Sequence, residues 1–172
     1  VTDEEGKAVT GDLHLGEYEV REIEPAAGYV LDEKAYEVEL KYKDQNTEIV
    51  TEDMAWENQP TTVIITKTDY ETDEKIEGVH FSISEKLPEG ADRTGEAAGT
   101  GTEYVTDEEG RIVFRYLRPG DYCIQETESA PGYRRNDTSV EFTVDENGKI
   151  NGEACMEFTI TNDRTTIKDT SA

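Results

Sequence analysis

Short runs in which apolar and polar residues alternate dominate the chain from residue 61 onward. Thr62-Val63-Ile64-Ile65-Thr66-Lys67 is β-branched and closed by turn-forming residues at 69–73, so it reads as a strand. Val79-His80-Phe81-Ser82-Ile83 alternates, which buries one face. Residues 84–103 are rich in Gly, Glu, Ala and Thr, carry no period, and read as a long loop. Tyr104-Val105-Thr106 and Ile112-Val113-Phe114 flank Asp107-Glu108-Glu109-Gly110 and are punctuated as a hairpin. After the turn Leu117-Arg118-Pro119-Gly120 comes Tyr122-Cys123-Ile124-Gln125-Glu126. Val140-Glu141-Phe142-Thr143-Val144 and Met156-Glu157-Phe158-Thr159-Ile160-Thr161-Asn162 supply the last two strands, separated by a turn at Gly148. No segment carries a helical period. Strands at roughly ten-residue spacing with glycine-rich turns predict an all-β, immunoglobulin-like sandwich.

The chain also matches itself at an offset of 104 residues. Val1-Thr2-Asp3-Glu4-Glu5-Gly6 recurs intact as Val105-Thr106-Asp107-Glu108-Glu109-Gly110. The same offset pairs Gly16-Glu17-Tyr18 with Gly120-Asp121-Tyr122, Glu22 with Glu126, Gly28-Tyr29 with Gly132-Tyr133, and Asn58 with Asn162. So long a period fits a tandem of small domains better than a solenoid. Residues 1–60 then hold the later part of a first, incomplete sandwich, its opening strands falling before Val1. Residues 61–164 hold a complete second one, and 165–172 are a linker or the start of a further unit.

Charge narrows the partners. Forty-one acidic residues against 17 basic ones give a net charge of −24 and a pI near 4.3. Such a chain has no basic face for nucleic acid and is repelled by anionic lipid. Low hydrophobicity with high charge would permit disorder, but 9 Tyr and many Thr in alternating runs argue for a folded β protein. No run approaches the length of a membrane span, so no membrane insertion is expected of this segment. Two isolated cysteines, Cys123 and Cys155, suggest neither a disulfide framework nor a metal site, and no motif asks for a cofactor.

Alternation places three polar groups in line with core positions. Tyr122, Ile124 and Glu126 share one face, as do Phe158, Ile160 and Asn162, while Ile65 and Lys67 share a side of the opening strand. In residues 1–60, Tyr18, Val20 and Glu22 repeat the pattern, with Trp56 and Asn58 in the last strand. An acid, an amide and an amine on apolar faces are costly unless they meet. Two readings follow: a buried salt bridge with an accessory Asn, or three groups that react.

Lys67-Thr68-Asp69, Gly78-Val79-His80-Phe81-Ser82-Ile83, Gly120 to Glu126 followed by Ala130-Pro131-Gly132-Tyr133, and Phe158-Thr159-Ile160-Thr161-Asn162 together resemble a collagen-adhesin B-type (CnaB-like, or prealbumin-like) domain. The resemblance implies an autocatalytic Lys–Asn isopeptide bond between first and last strands. Lys67 would be the nucleophile, Asn162 the electrophile and Glu126 the catalytic acid. Desolvation lowers an amine's pKa and raises a carboxyl's, so such a pair can exist as neutral amine and neutral acid. Glu22 and Asn58 match the acid and the electrophile in residues 1–60. The lysine matching Lys67 would fall 104 residues before it, outside this chain.

The function this implies is structural: stalk or shaft domains of a Gram-positive surface adhesin or pilin, extracellular and anchored to the cell wall. The chain would turn over no substrate, each bond forming once, and its partners would be neighbouring domains of the same surface protein. The competing reading is a module that binds host matrix or glycans through the 84–103 loop. His14 and His80 lie apart from any nucleophile motif, with His80 expected to face solvent. Cys123 and Cys155 are expected as unpaired surface thiols. The acidic clusters at 3–5 and 107–109 fit solvated turns better than calcium loops.

Overall fold

A computed structural model describes residues 1–86 and 103–166. Most of the expected 84–103 loop, from 87 to 102, lies outside the described residues, as does the chain beyond Thr166. Nine strands form: β1 (Gly16–Arg21), β2 (Ala35–Leu40), β3 (Thr62–Asp69), β4 (His80–Lys86), β5 (Glu103–Val105), β6 (Arg111–Arg115), β7 (Gly120–Glu128), β8 (Val140–Val144) and β9 (Cys155–Asn162). No helix is present among the described residues.

Two compact units divide the chain. The first comprises Val1–Ile23 with Asp32–Glu57, and the second Glu24–Leu31 with Asn58–Ala172. The sequence repeat divides the chain at 60/61. In space the short segment Glu24–Leu31 groups with the residues that follow Glu57.

In the first unit β1 pairs antiparallel with β2, Gly16 opposite Leu40 and Arg21 opposite Ala35. Tyr18, Val20, Tyr36 and Val38 form its half-buried face. Trp56 stacks on Tyr36 with ring centroids 4.8 Å apart. The last strand expected around Trp56 and Asn58 is not formed, since residues 41–59 carry no strand. The reason lies in the matching strand of the second unit, β9, which forms by pairing with β3. Residues 1–60 contain no counterpart of β3.

The second unit is the sandwich, with one sheet ordered β6-β3-β9 and the other β5-β4-β7-β8. β3 and β9 run parallel, Thr62 opposite Cys155 through Asp69 opposite Asn162. The other pairings are antiparallel. Inward positions of both sheets, including Val63, Ile65, Phe81, Ile83, Tyr122 and Ile124, close the core. Burying such side chains contributes roughly 1.5–3 kcal/mol each.

The strand pair expected as a hairpin around residues 107–110 is an exception. β5 pairs with β4 and β6 with β3, so this turn crosses from one sheet to the other. Likewise β8 pairs with β7 while β9 joins β3. In both places the local turn chemistry is as expected, and long-range pairing decides the destination. Asp107 Oδ1 accepts the backbone N–H groups of Glu109 and Arg111, and Gly110 takes φ +68°.

Candidate functional site: a buried amine, amide and acid

β3 delivers Lys67 to the core because five of its last six positions turn away from solvent. The backbone there is held twice beyond the sheet. Lys67 N–H donates to the Gly110 carbonyl at 2.7 Å, and Ile76 N–H donates to the Lys67 carbonyl at 3.0 Å. Gly110 is required at this point, because a Cβ would lie 2.6 Å from the Lys67 carbonyl oxygen.

Lys67 sits opposite Ile160 across the parallel pair, so Asn162, two residues on, projects from the same face. Lys67 Nζ donates to Asn162 Oδ1 at 2.6 Å. From the facing sheet β7 contributes Glu126, opposite Phe81 of β4. Glu126 Oε2 is 3.0 Å from Lys67 Nζ, a contact off the line of a good hydrogen bond. Its Oε1 accepts from Asn162 Nδ2 at 2.8 Å. The Lys67 and Glu126 side chains are 0% and 1% exposed, so amine and acid face each other in a dry interior. The sequence-expected trio is thus brought together across the two sheets.

Burial pushes the Lys67 ammonium below the usual lysine range, with the facing carboxyl of Glu126 pulling the other way. The same dryness drives the Tyr122 phenol up to about 12. The Phe81 ring lies under the amine, its centroid 5.9 Å from Nζ. A buried ion pair stabilises little on balance and is expensive to break.

One participant is absent from the sequence reading. Ser129, just past β7, accepts the second amide hydrogen of Asn162 through its Oγ, at 3.1 Å. Both Nδ2 hydrogens are therefore engaged, and Oδ1 is turned to the lysine. A serine in a loop carries no sequence signal for such a contact.

Beyond the trio, Asp69 closes the end of β3. Its Oδ1 accepts from the N–H groups of Glu71 and Thr72. Its Oδ2 accepts from Tyr133 Oη at 3.0 Å and Arg164 Nε at 2.5 Å. The Arg164 guanidinium, first among these partners, holds the Asp69 carboxyl well below the usual range.

Glu22 accepts the N–H of Asp32 at 2.7 Å, and Asn58 Nδ2 donates to the Val30 carbonyl at 3.1 Å. His80 is half-buried rather than solvent-facing, with Nδ1 3.2 Å from Glu103. Cys123 and Cys155 are free thiols, half-buried and exposed, on different sheets. Asp3, like Asp107, spends its carboxylate on the N–H groups of its own turn. Among the described residues no group of three His, Cys, Asp or Glu converges as metal ligands, and no helix is long and apolar enough to cross a membrane.

Solved structures similar to this chain include pilins and a pilus adhesin. The pilus adhesin RrgA of Streptococcus pneumoniae shares the fold with TM-score 0.50 at 18% identity, over 62% of this chain and 15% of that one. The Bacillus anthracis TIE protein aligns at 27% identity over 95% of this chain and 28% of its own, with TM-score 0.49. BcpA, the major pilin subunit of Bacillus cereus, aligns at 24% identity over 62% and 31%, with TM-score 0.44. This chain therefore spans less than a third of each of them. No curated protein sequence matches it. The family described as "SpaA: Prealbumin-like fold domain" matches residues 1–55 and again 61–157. With most of its length so matched, and with a two-sheet sandwich to go with it, the chain belongs to the SpaA prealbumin-like fold family.

Proposed function

We propose that this chain is a structural segment of a Gram-positive surface shaft, a pilin or adhesin stalk, tied internally by a bond between Lys67 and Asn162. The observation that carries the reading is the meeting of Lys67 Nζ, Asn162 Oδ1 and Glu126 at 2.6 and 3.0 Å with the amine and acid side chains fully buried. Family membership and the pilin and adhesin neighbours support the setting, which is extracellular and anchored to the cell wall.

The chemistry is a single acyl transfer. With its proton passed to Glu126, the amine attacks Asn162 Cγ, while the protonated acid polarises the amide. Glu126 then returns a proton to Nδ2 and takes up the second amine proton from Nζ. The Cγ–Nδ2 bond breaks, ammonia leaves, and an Nζ–Cγ amide remains. No oxidant or cofactor enters the balance. The reaction occurs once per domain, so the protein is a product of its own chemistry and not a turnover catalyst.

Intact mass tests this directly. The purified chain is expected to weigh about 17 Da less than its sequence, the mass of one ammonia. Lys67→Ala and Glu126→Ala are expected to weigh what their sequences predict. A wild-type chain at full mass would reduce the trio to a buried polar cluster.

A further inference from the structure

The repeat at 104 residues has a structural counterpart that is complete in one place and half-built in another. The complete case is the segment Glu24–Leu31, which packs within the second unit. Its own turn is closed by Tyr29 N–H to the Ala26 carbonyl at 3.0 Å, and Thr61 N–H donates to the Gly28 carbonyl at 2.9 Å. The rest of the unit then receives it. Leu31 N–H donates to the Asn147 carbonyl at 2.9 Å, and the Tyr29 ring meets Tyr116 edge-on at 5.4 Å. Gly148 lies so close under Tyr29 that a Cβ there would stand 2.0 Å from its carbonyl oxygen. Gly28 and Val30 are buried as a result.

One repeat later, at 128–135, the segment's own half is reproduced bond for bond. Tyr133 N–H donates to the Ala130 carbonyl at 3.1 Å, and Thr165 N–H to the Gly132 carbonyl at 2.8 Å. Gly132 takes φ +88°, against +90° at Gly28. The receiving half is missing. Gly132 has open space where Gly28 meets the Tyr116 backbone, and Gly132, Arg134 and Arg135 are exposed.

We propose that the turn at 130–135 is a docking edge for one further prealbumin-like unit following Thr165. That unit would seat its counterparts of Tyr116 and of the Asn147-Gly148 turn on this edge. Its chemistry is also indicated. Arg134 and Arg135 stand where Val30 and Leu31 stand one repeat earlier, and Arg135 is already paired with Asp137 at 2.8 Å, so Arg134 is the cation that favours an acidic seat. The Asp145-Glu146 pair beside Asn147 has that character. A second copy of this chain does not fit, because its seat is already filled by its own Glu24–Leu31. The inference uses no part of the cross-linking chemistry and stands apart from it.

The test is hydrogen exchange on the full chain and on a chain extended in phase, residues 1–165 followed by a second 62–166. In the parent, the Leu31 amide, which donates to the Asn147 carbonyl, is expected to be protected and the exposed Arg135 amide is not. In the extended chain the Arg135 amide is expected to slow about tenfold or more, with protection falling as salt is raised. An extended variant carrying Arg134→Val and Arg135→Leu is expected to keep that protection at high salt. Exchange at the parental rate in the extended chain overturns the proposal, whether or not the variant is protected. Protection that appears in the parent alone as its concentration rises would name a second copy as the occupant, and would overturn it equally.

Discussion

Lys67 and Asn162 stand on neighbouring parallel strands two residues out of register, and this stagger brings Nζ to 2.6 Å from Oδ1. Directly opposite residues, such as Lys67 and Ile160, lie side by side and are both buried. The diagonal neighbour lets a long amine reach along the strand to a short amide. Glu126 meets both groups from the other sheet, so three elements far apart in sequence define one buried cluster.

Glu126→Gln separates proton transfer from packing. The amide keeps the size of the acid but cannot carry the proton. The variant is expected to fold and to show its full sequence mass. Losing a cross-link that closes a loop of this length removes about 4–5 kcal/mol in the chain-entropy account. For a domain of this size the melting temperature should fall by on the order of 20 °C. A calorimetric scan beside the intact mass checks both parts.

Ser129→Ala should slow bond formation without abolishing it. The hydroxyl holds one amide hydrogen of Asn162 while Glu126 holds the other, and a hydrogen bond of this kind is worth about 1 kcal/mol. A rate loss of about fivefold is expected, read as the growth of the mass deficit in freshly synthesised protein. Ser129→Thr, which keeps the hydroxyl, should restore most of the rate. A purely structural role would leave the time courses of all three alike.

Asp69 makes an acid-resistant clasp on the residues that follow β9. Its carboxyl is held below its ordinary value of 3.8 by Arg164, so the unfolded chain takes up the proton first as pH falls. The contribution is therefore complete above 3.8 and is lost as pH drops below it toward the folded value. Wild type is expected to exceed Asp69→Asn in stability at neutral pH, with the difference closing in strong acid. Urea melts at a series of pH values measure this.

Gly110→Ala reaches the lysine through the backbone. The new methyl would meet the Lys67 carbonyl oxygen at 2.6 Å, in a conformation with φ +68° that side chains rarely adopt. A loss of about 1–3 kcal/mol is expected, together with incomplete cross-linking as Lys67 shifts. Denaturant titration and the ratio of the two mass species report the two effects.

What could be read from the sequence divides along physical lines. Alternation along a strand is local, so the inward positions of Lys67, Glu126 and Asn162 were legible from their apolar neighbours. Turns were legible from Asp107, Gly110 and Gly148. The sheet to which each strand belongs was not, because an Asp-closed turn looks the same whether it joins paired strands or crosses the core. Nor was the absence of the strand expected around Trp56 and Asn58, whose alternation is intact but whose partner has no counterpart in residues 1–60. Ser129 and Glu24–Leu31 owe their roles to contacts across tens of residues, which no local pattern encodes.

The parallel pairing of β3 with β9 also sets an order of events. The opening strand meets the closing one only by closing the chain over the 95-residue separation of Lys67 and Asn162. Amine, amide and acid come together only when both sheets are in place, because Lys67 and Asn162 lie on one and Glu126 on the other. Chemistry that needs all three cannot run in a half-formed chain. Any covalent tie made there records a domain that has already folded correctly.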